Sequence, residues 1–226
     1  MKKATVVSAV ALSGIVLSSM GGLSAFADDI NSMDTKTHIE FSGHTPNPNP
    51  DELDLIWVPT TFEFGQHEAL DNQNAATTYK MENPLPKYTI VQDKRSTVHS
   101  DWKVNAVASE MKATTAMGEK KLNGAQIDIS KTALKQYTPD DNTIIPESNG
   151  AITNAPGSWS NVTVQSNIAL PTDGTTSVPV MNTTGNAVEN GKYAAEFGDV
   201  QLSVPQGVAQ EGDFNGTVTW TLSDAV

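Results

Sequence analysis

The sequence predicts an all-β protein: a single antiparallel β-sandwich or barrel-like domain with Greek-key-type connections, behind a signal peptide and an extended spacer. Three observations predict it. Short segments alternate apolar and polar residues, turn dipeptides recur between them, and Thr, Asn, Ser and Gly are abundant while only 18% of residues are charged. Successive side chains on a strand point to opposite faces, so alternation with period two marks a half-buried strand. Helix surfaces favour Glu, Lys, Arg and Gln, which this chain uses sparingly.

Residues 1–27 read as a secretory leader. Lys2 and Lys3 supply the positive start, Ala4 to Leu17 the apolar stretch, and Ala25-Phe26-Ala27 a cleavage site. Ser13, Gly14, Ser18, Ser19, Gly21 and Gly22 dilute that stretch below the about 20 apolar residues a membrane-spanning helix needs. The expected mature protein is extracellular and has no transmembrane segment. Residues 28–52 read as a Pro/Asn-rich extended spacer, because Pro46-Asn47-Pro48-Asn49-Pro50 favours a polyproline-like course without a core. Within it, His38-Ile39-Glu40-Phe41 is a candidate short strand.

Residues 53–226 read as the β domain. Phe62-Glu63-Phe64, Ile127-Asp128-Ile129 and Val162-Thr163-Val164 alternate, and the run Phe197 to Val204 stops at Pro205, which has no N–H for a ladder. The last segment is the clearest, with Val218, Trp220 and Leu222 on one face and Thr217, Thr219, Thr221 and Ser223 on the other. Thr packs well on a pleated surface, so both faces suit a strand. Asn123-Gly124, Asn149-Gly150, Pro156-Gly157, Asp173-Gly174, Asn190-Gly191 and Asn215-Gly216 mark turns. Many short strands separated by such turns predict a sandwich or barrel. One exception is Lys131 to Tyr137, which reads as a short helix.

Charge and composition exclude several functions. A formal charge of −12 and an isoelectric point near 4.6 argue against nucleic acid as a partner, since phosphates repel such a surface. Without cysteine there is no disulfide, thiolate site or acylated anchor. His38, His44, His67 and His99 fall at no metal-binding spacing, and no carboxylate-rich calcium loop occurs, so no metal and no cofactor is expected. No nucleophile elbow or S-x-x-K motif activates a hydroxyl, so there is no catalytic candidate. Paired carboxylates of a polysaccharide hydrolase are spatial, and that alternative stays open. Leu170-Pro171-Thr172-Asp173-Gly174 departs from a sortase motif at Asp173 and reads as a turn, so surface attachment is expected to be non-covalent. The N-x-S/T triplets at Asn161, Asn182 and Asn215 read as chance matches behind a bacterial-type leader.

The remaining signal is aromatic. Among Trp57, Trp102, Trp159 and Trp220, two begin W-x-aliphatic pairs: Trp102-Lys103-Val104 and Trp220-Thr221-Leu222. On a strand each pair shares one face, as a core wedge or as an exposed platform that stacks on sugar rings. Alternation favours the core.

These residues resemble the WxL family of cell-wall-binding domains of low-GC Gram-positive bacteria. The first family motif is matched by Val91-Gln92-Asp93-Lys94-Arg95-Ser96-Thr97 followed by Asp101-Trp102-Lys103-Val104, the second by Thr219-Trp220-Thr221-Leu222-Ser223-Asp224. Leu53-Asp54-Leu55, Phe62-Glu63-Phe64-Gly65, Leu122-Asn123-Gly124-Ala125 and Val200 to Pro205 are similar to further family stretches. Val104 stands where the family has Leu, and Ser96 where it has Gly. The resemblance, to the small WxL type, implies Trp102, Val104, Trp220 and Leu222 as motif or wall-binding residues. It also implies non-covalent attachment to peptidoglycan at the cell surface, without catalysis. Implied partners are other WxL proteins and a membrane-anchored WxL-interacting protein, with host matrix or plant polysaccharide as further ligands and adhesion as one role. Two other readings stand beside it: a secreted polysaccharide-acting hydrolase, and an assembly subunit binding only proteins.

Overall fold

The computed structural model describes residues 29–36, 52–67, 75–83, 85–95, 101–185 and 190–224. The strands are β1 (Asp29–Lys36), β2 (Leu53–Trp57), β3 (Thr77–Lys80), β4 (Lys87–Asp93), β5 (Trp102–Ala108), β6 (Lys112–Thr115), β7 (Gly118–Lys121), β8 (Gln126–Tyr137), β9 (Ile152–Asn154), β10 (Val162–Val164), β11 (Ile168–Pro171), β12 (Val178–Thr183), β13 (Gly191–Val204) and β14 (Thr217–Asp224). Among the described residues there is no helix. The protein is all-β.

Two antiparallel sheets face each other. One runs β1-β14-β5-β12-β10; the other runs β11-β8-β13-β4-β2, with β3 added to β13 and β9 to β8, while β6 and β7 form a separate hairpin. From β10 to β14 each successive strand joins the opposite sheet, so the chain stitches the two layers together. Thr172, just after β11, bridges to Ala108 at the end of β5, which ties the layers along one side. The inner faces share one large apolar core.

The turn signals fall between strands, apart from Asn190-Gly191, whose Gly opens β13. Asp173 caps its turn by accepting from the backbone N–H of Thr175 and of Thr176, both at 2.8 Å. Val162–Val164 and the run ending at Val204 are strands as expected. Phe62 and Phe64 are buried with Glu63 partly exposed, although this extended segment joins neither sheet.

Two segments differ from the sequence expectation. Lys131 to Tyr137 is not a helix; it is the second half of β8, paired with β13. The ladder is interrupted where Lys131, at φ 52°, faces Gly198. A Cβ on Gly198 would lie 2.9 Å from the Lys131 carbonyl oxygen, so only glycine fits there. The interruption switches faces. Tyr193, Ala195 and Phe197 point into the core before it, and Val200, Leu202 and Val204 after it. That switch broke the alternation through Lys131 and disguised a strand. The second difference is β1. It lies inside the stretch expected to be spacer and pairs along β14 from Asp29–Ser223 to Lys36–Thr217. Its polar sequence gives no strand signal, because an edge strand is held by ladder hydrogen bonds. His38 to Phe41 lies outside the described residues.

The second sheet is covered on both faces. Ile56, Trp57, Tyr88, Ile90, Tyr137, Ala151 and Ala194 make a smaller core on its outer side. This explains why β2 is buried at every position rather than at alternate ones. The Tyr137 hydroxyl donates to the carbonyls of Asp141 (3.0 Å) and Ile144 (2.7 Å), pinning the loop that follows β8. Lys192 Nζ holds the same loop through Asn142 Oδ1 at 2.8 Å and the Pro139 carbonyl at 2.5 Å.

Candidate functional site

The two W-x-aliphatic motifs are brought side by side. Trp102 and Val104 open β5, Trp220 and Leu222 lie near the end of β14, and these strands are antiparallel neighbours. Leu222 stands opposite Val104, and Trp220 opposite Ala106. Val104 also faces Met181 of β12, so an aliphatic of either branching fills that row. All four motif side chains are 0% exposed and belong to the main core. None presents an exposed face.

What they touch is the centre of the other sheet. Trp220 stacks on Phe197, with centroids 5.6 Å apart and planes 16° apart. Trp102 meets Tyr193 at 5.6 Å, and Trp159 covers the same Tyr193 ring at 4.3 Å. Tyr193 and Phe197 are four residues apart on β13, hence on one face. Each such ring pair adds about 0.5–1.5 kcal/mol beyond the area it buries. The motifs therefore rivet β5 and β14 to β13. Gly191 makes room for this packing, because a Cβ there would lie 2.5 Å from Trp159 Cζ2.

A charged clasp closes the same end of the sandwich. Asp93, whose side chain is fully buried, accepts from Arg95 Nε at 3.0 Å, from Nη2 at 2.9 Å and from the Arg95 backbone N–H at 3.1 Å. Arg95 Nη1 donates in turn to Asp224 Oδ1 at 3.2 Å. Burial works against the guanidinium charge, but hydrogen bonding to Asp93 and the charges of Asp93 and Asp224 outweigh it and push its pKa up. Asp93 and Arg95 come from the stretch before the first motif, and Asp224 ends the second. Nearby, Asp101 Oδ2 accepts from the Gly185 N–H at 3.1 Å, and the Trp102 N–H bonds Thr183 Oγ1 at 2.9 Å. The Trp102 indole N–H finds no acceptor among the described residues. Ser96, the other departure from the family pattern, lies outside the described residues.

The opposite end carries an open cleft of about 660 Å³. Phe64, His67, Tyr79 and Phe214 give it aromatic walls, and Met111 and Leu122 add apolar surface. Several elements position these groups. The segment after β2 is tied to the end of β3 by the Glu82 N–H on the Glu63 carbonyl at 2.8 Å. Lys112 and Asn215 exchange two backbone hydrogen bonds of 2.8 Å, joining the β6–β7 hairpin to the loop that bears Phe214. The His67 ring sits 4.3 Å from Tyr79, and its Nε2 contacts the Phe64 carbonyl. Sequence reasoning missed this cleft; Thr77 and Tyr79 share the more buried face of β3, but Thr77-Thr78-Tyr79-Lys80 shows no apolar–polar alternation that would announce it. A second, more polar cleft of about 600 Å³ lies against Tyr88, Glu147 and Glu196.

Among the described residues no three acidic or His side chains gather as metal ligands, and no helix is long and apolar enough to cross a membrane. Of the four histidines only His67 lies within the described residues.

No curated protein and no solved structure matches the chain. A family model does, over residues 31–225, and its description is WxL domain, surface cell wall-binding. The match begins inside β1 and ends just past the Asp224 clasp, enclosing both riveted motifs, and the chain belongs to the WxL family of cell-wall-binding surface domains.

Proposed function

We propose that this protein is a non-catalytic surface module, exported by its leader, that attaches non-covalently to peptidoglycan and serves within a multiprotein surface complex. The family match over nearly the whole chain carries this reading, because the wall-binding domain takes up almost all of the sequence. The partners proposed for the complex are other WxL proteins and a membrane-anchored WxL-interacting protein. Trp102, Val104, Trp220 and Leu222 act in wall binding indirectly: they lock the sheets whose edges and loops carry the contact surface. Sedimentation of the purified chain with protein-stripped cell walls, against walls from an unrelated genus, tests attachment. Incubation with peptidoglycan or plant glycan tests the absence of catalysis. Reducing ends released by the wild type, and lost on replacing one Asp or Glu, would make it a hydrolase. Binding to protein partners with none to stripped walls would make it an assembly subunit.

A further inference from the structure

We propose that the cleft between Phe64, Tyr79 and Phe214 is a saccharide-binding site, taking a neutral hexose or N-acetylhexosamine chain. The inference rests on the wall-binding reading above and gives that reading a place on the molecule. Its volume of about 660 Å³ lies in the range of pockets that enclose small ligands. Sugars present two chemistries at once. Their C–H faces are apolar and stack on aromatic rings, while their hydroxyls seek hydrogen-bond acceptors at the edges. This cleft supplies both. Tyr79 and Phe214 are only partly buried, and the His67 ring lies 4.3 Å from that of Tyr79 and extends the aromatic wall. Glu63, Glu211 and Asp213 line the cleft with Gln66 and with Gln210, whose Nε2 donates to the Lys121 carbonyl at 2.9 Å.

The charge pattern selects among polymers. Among the described residues the lining holds three acidic side chains and no Lys or Arg. Lys120 Nζ, which donates to the Glu211 carbonyl at 2.8 Å, is a cation at its rim. Acid outweighs base there, so a neutral glycan is favoured over a phosphate-bearing chain. The second cleft lacks this pairing. Among the described residues its lining has one ring, that of Tyr88, which is 7% exposed and whose hydroxyl donates to Glu196 Oε2 at 3.2 Å, so it offers no stacking platform. The riveted tryptophans, wholly buried, offer none either.

The test titrates the purified chain with an N-acetylglucosamine tetramer, with cellotetraose and with a poly(glycerol phosphate), following backbone amide shifts by NMR. Shifts confined to Gln66, Tyr79 and Gly212–Phe214 with either neutral sugar, and none with the phosphate polymer, are expected. Preference for the tetramer assigns the site to wall glycan, and preference for cellotetraose to plant polysaccharide. Tyr79→Ala and Phe214→Ala should each weaken binding roughly tenfold, while Tyr79→Phe keeps it. Shifts located elsewhere, or no shift with either sugar, would overturn the proposal even where an alanine variant fails to fold. Wild-type chain that sediments with walls, alongside folded Tyr79→Ala and Phe214→Ala variants that sediment equally well, overturns the site and leaves wall binding standing. Sugar binding in the cleft without sedimentation does the reverse.

Discussion

Arg95 Nη1 reaches Asp224 Oδ1 at 3.2 Å across 129 positions of sequence, joining the stretch before the first W-x-aliphatic motif to the end of the second. The other two guanidinium nitrogens, Nε and Nη2, hold Asp93, whose side chain is buried completely. Removing one partner of a buried ion pair costs more than the pair contributes, because the other charge stays desolvated. Arg95→Ala should therefore destabilise the fold by about 3–5 kcal/mol in urea titrations. Asp224→Asn, at the partly exposed end of the clasp, should cost less than about 1 kcal/mol.

Trp220→Ala should lower stability by about 3–5 kcal/mol, since it empties a site packed on Phe197. Wall sedimentation would then be lost only to the extent that the chain unfolds at the assay temperature. A Trp220→Ala variant with unchanged melting temperature that no longer sediments would show direct contact instead.

Gly191→Ala tests how tightly the aromatic end is packed. The new methyl meets the flat, stiff Trp159 ring, so overpacking should cost about 1–3 kcal/mol and change the near-ultraviolet aromatic signal.

Alkaline pH should loosen the outer core. Burial, with the Asp141 charge, pushes the Tyr137 hydroxyl up to about 12, and burial with Glu196 does the same for Tyr88. A folded-state pKa above the unfolded value of 10.0 stabilises fully below pH 10 and is lost as pH rises from there toward 12. Stability should fall across that window. Tyr137→Phe and Tyr88→Phe should each flatten the fall, followed by chemical denaturation at fixed pH.

The sequence made the class of fold legible because alternation and turn chemistry are local. Val218-Thr219-Trp220-Thr221-Leu222 is read correctly from five residues. The Lys131–Tyr137 strand is not, because the switch of faces at Lys131 depends on Gly198, far along the chain. The strand Asp29–Lys36 is invisible for another reason: its place is set by backbone pairing along β14, far away in sequence. The motif tryptophans announce themselves as large rings in clean alternation, while their partners Tyr193 and Phe197 emerge only when β13 is laid across them. Phe64, Tyr79 and Phe214 come from three separate segments, so no window of sequence gathers them.

The pairing of β1 with β14 gives the molecule a polarity. Asp29 stands beside Ser223, so the chain arrives at and departs from the clasped end. The cleft lies at the other end, where β13 finishes and β14 begins. A domain joined before Asp29 or after Asp224 thus hangs from the pole remote from the cleft. Anything fused at either point and anything bound in the cleft would therefore face opposite ways.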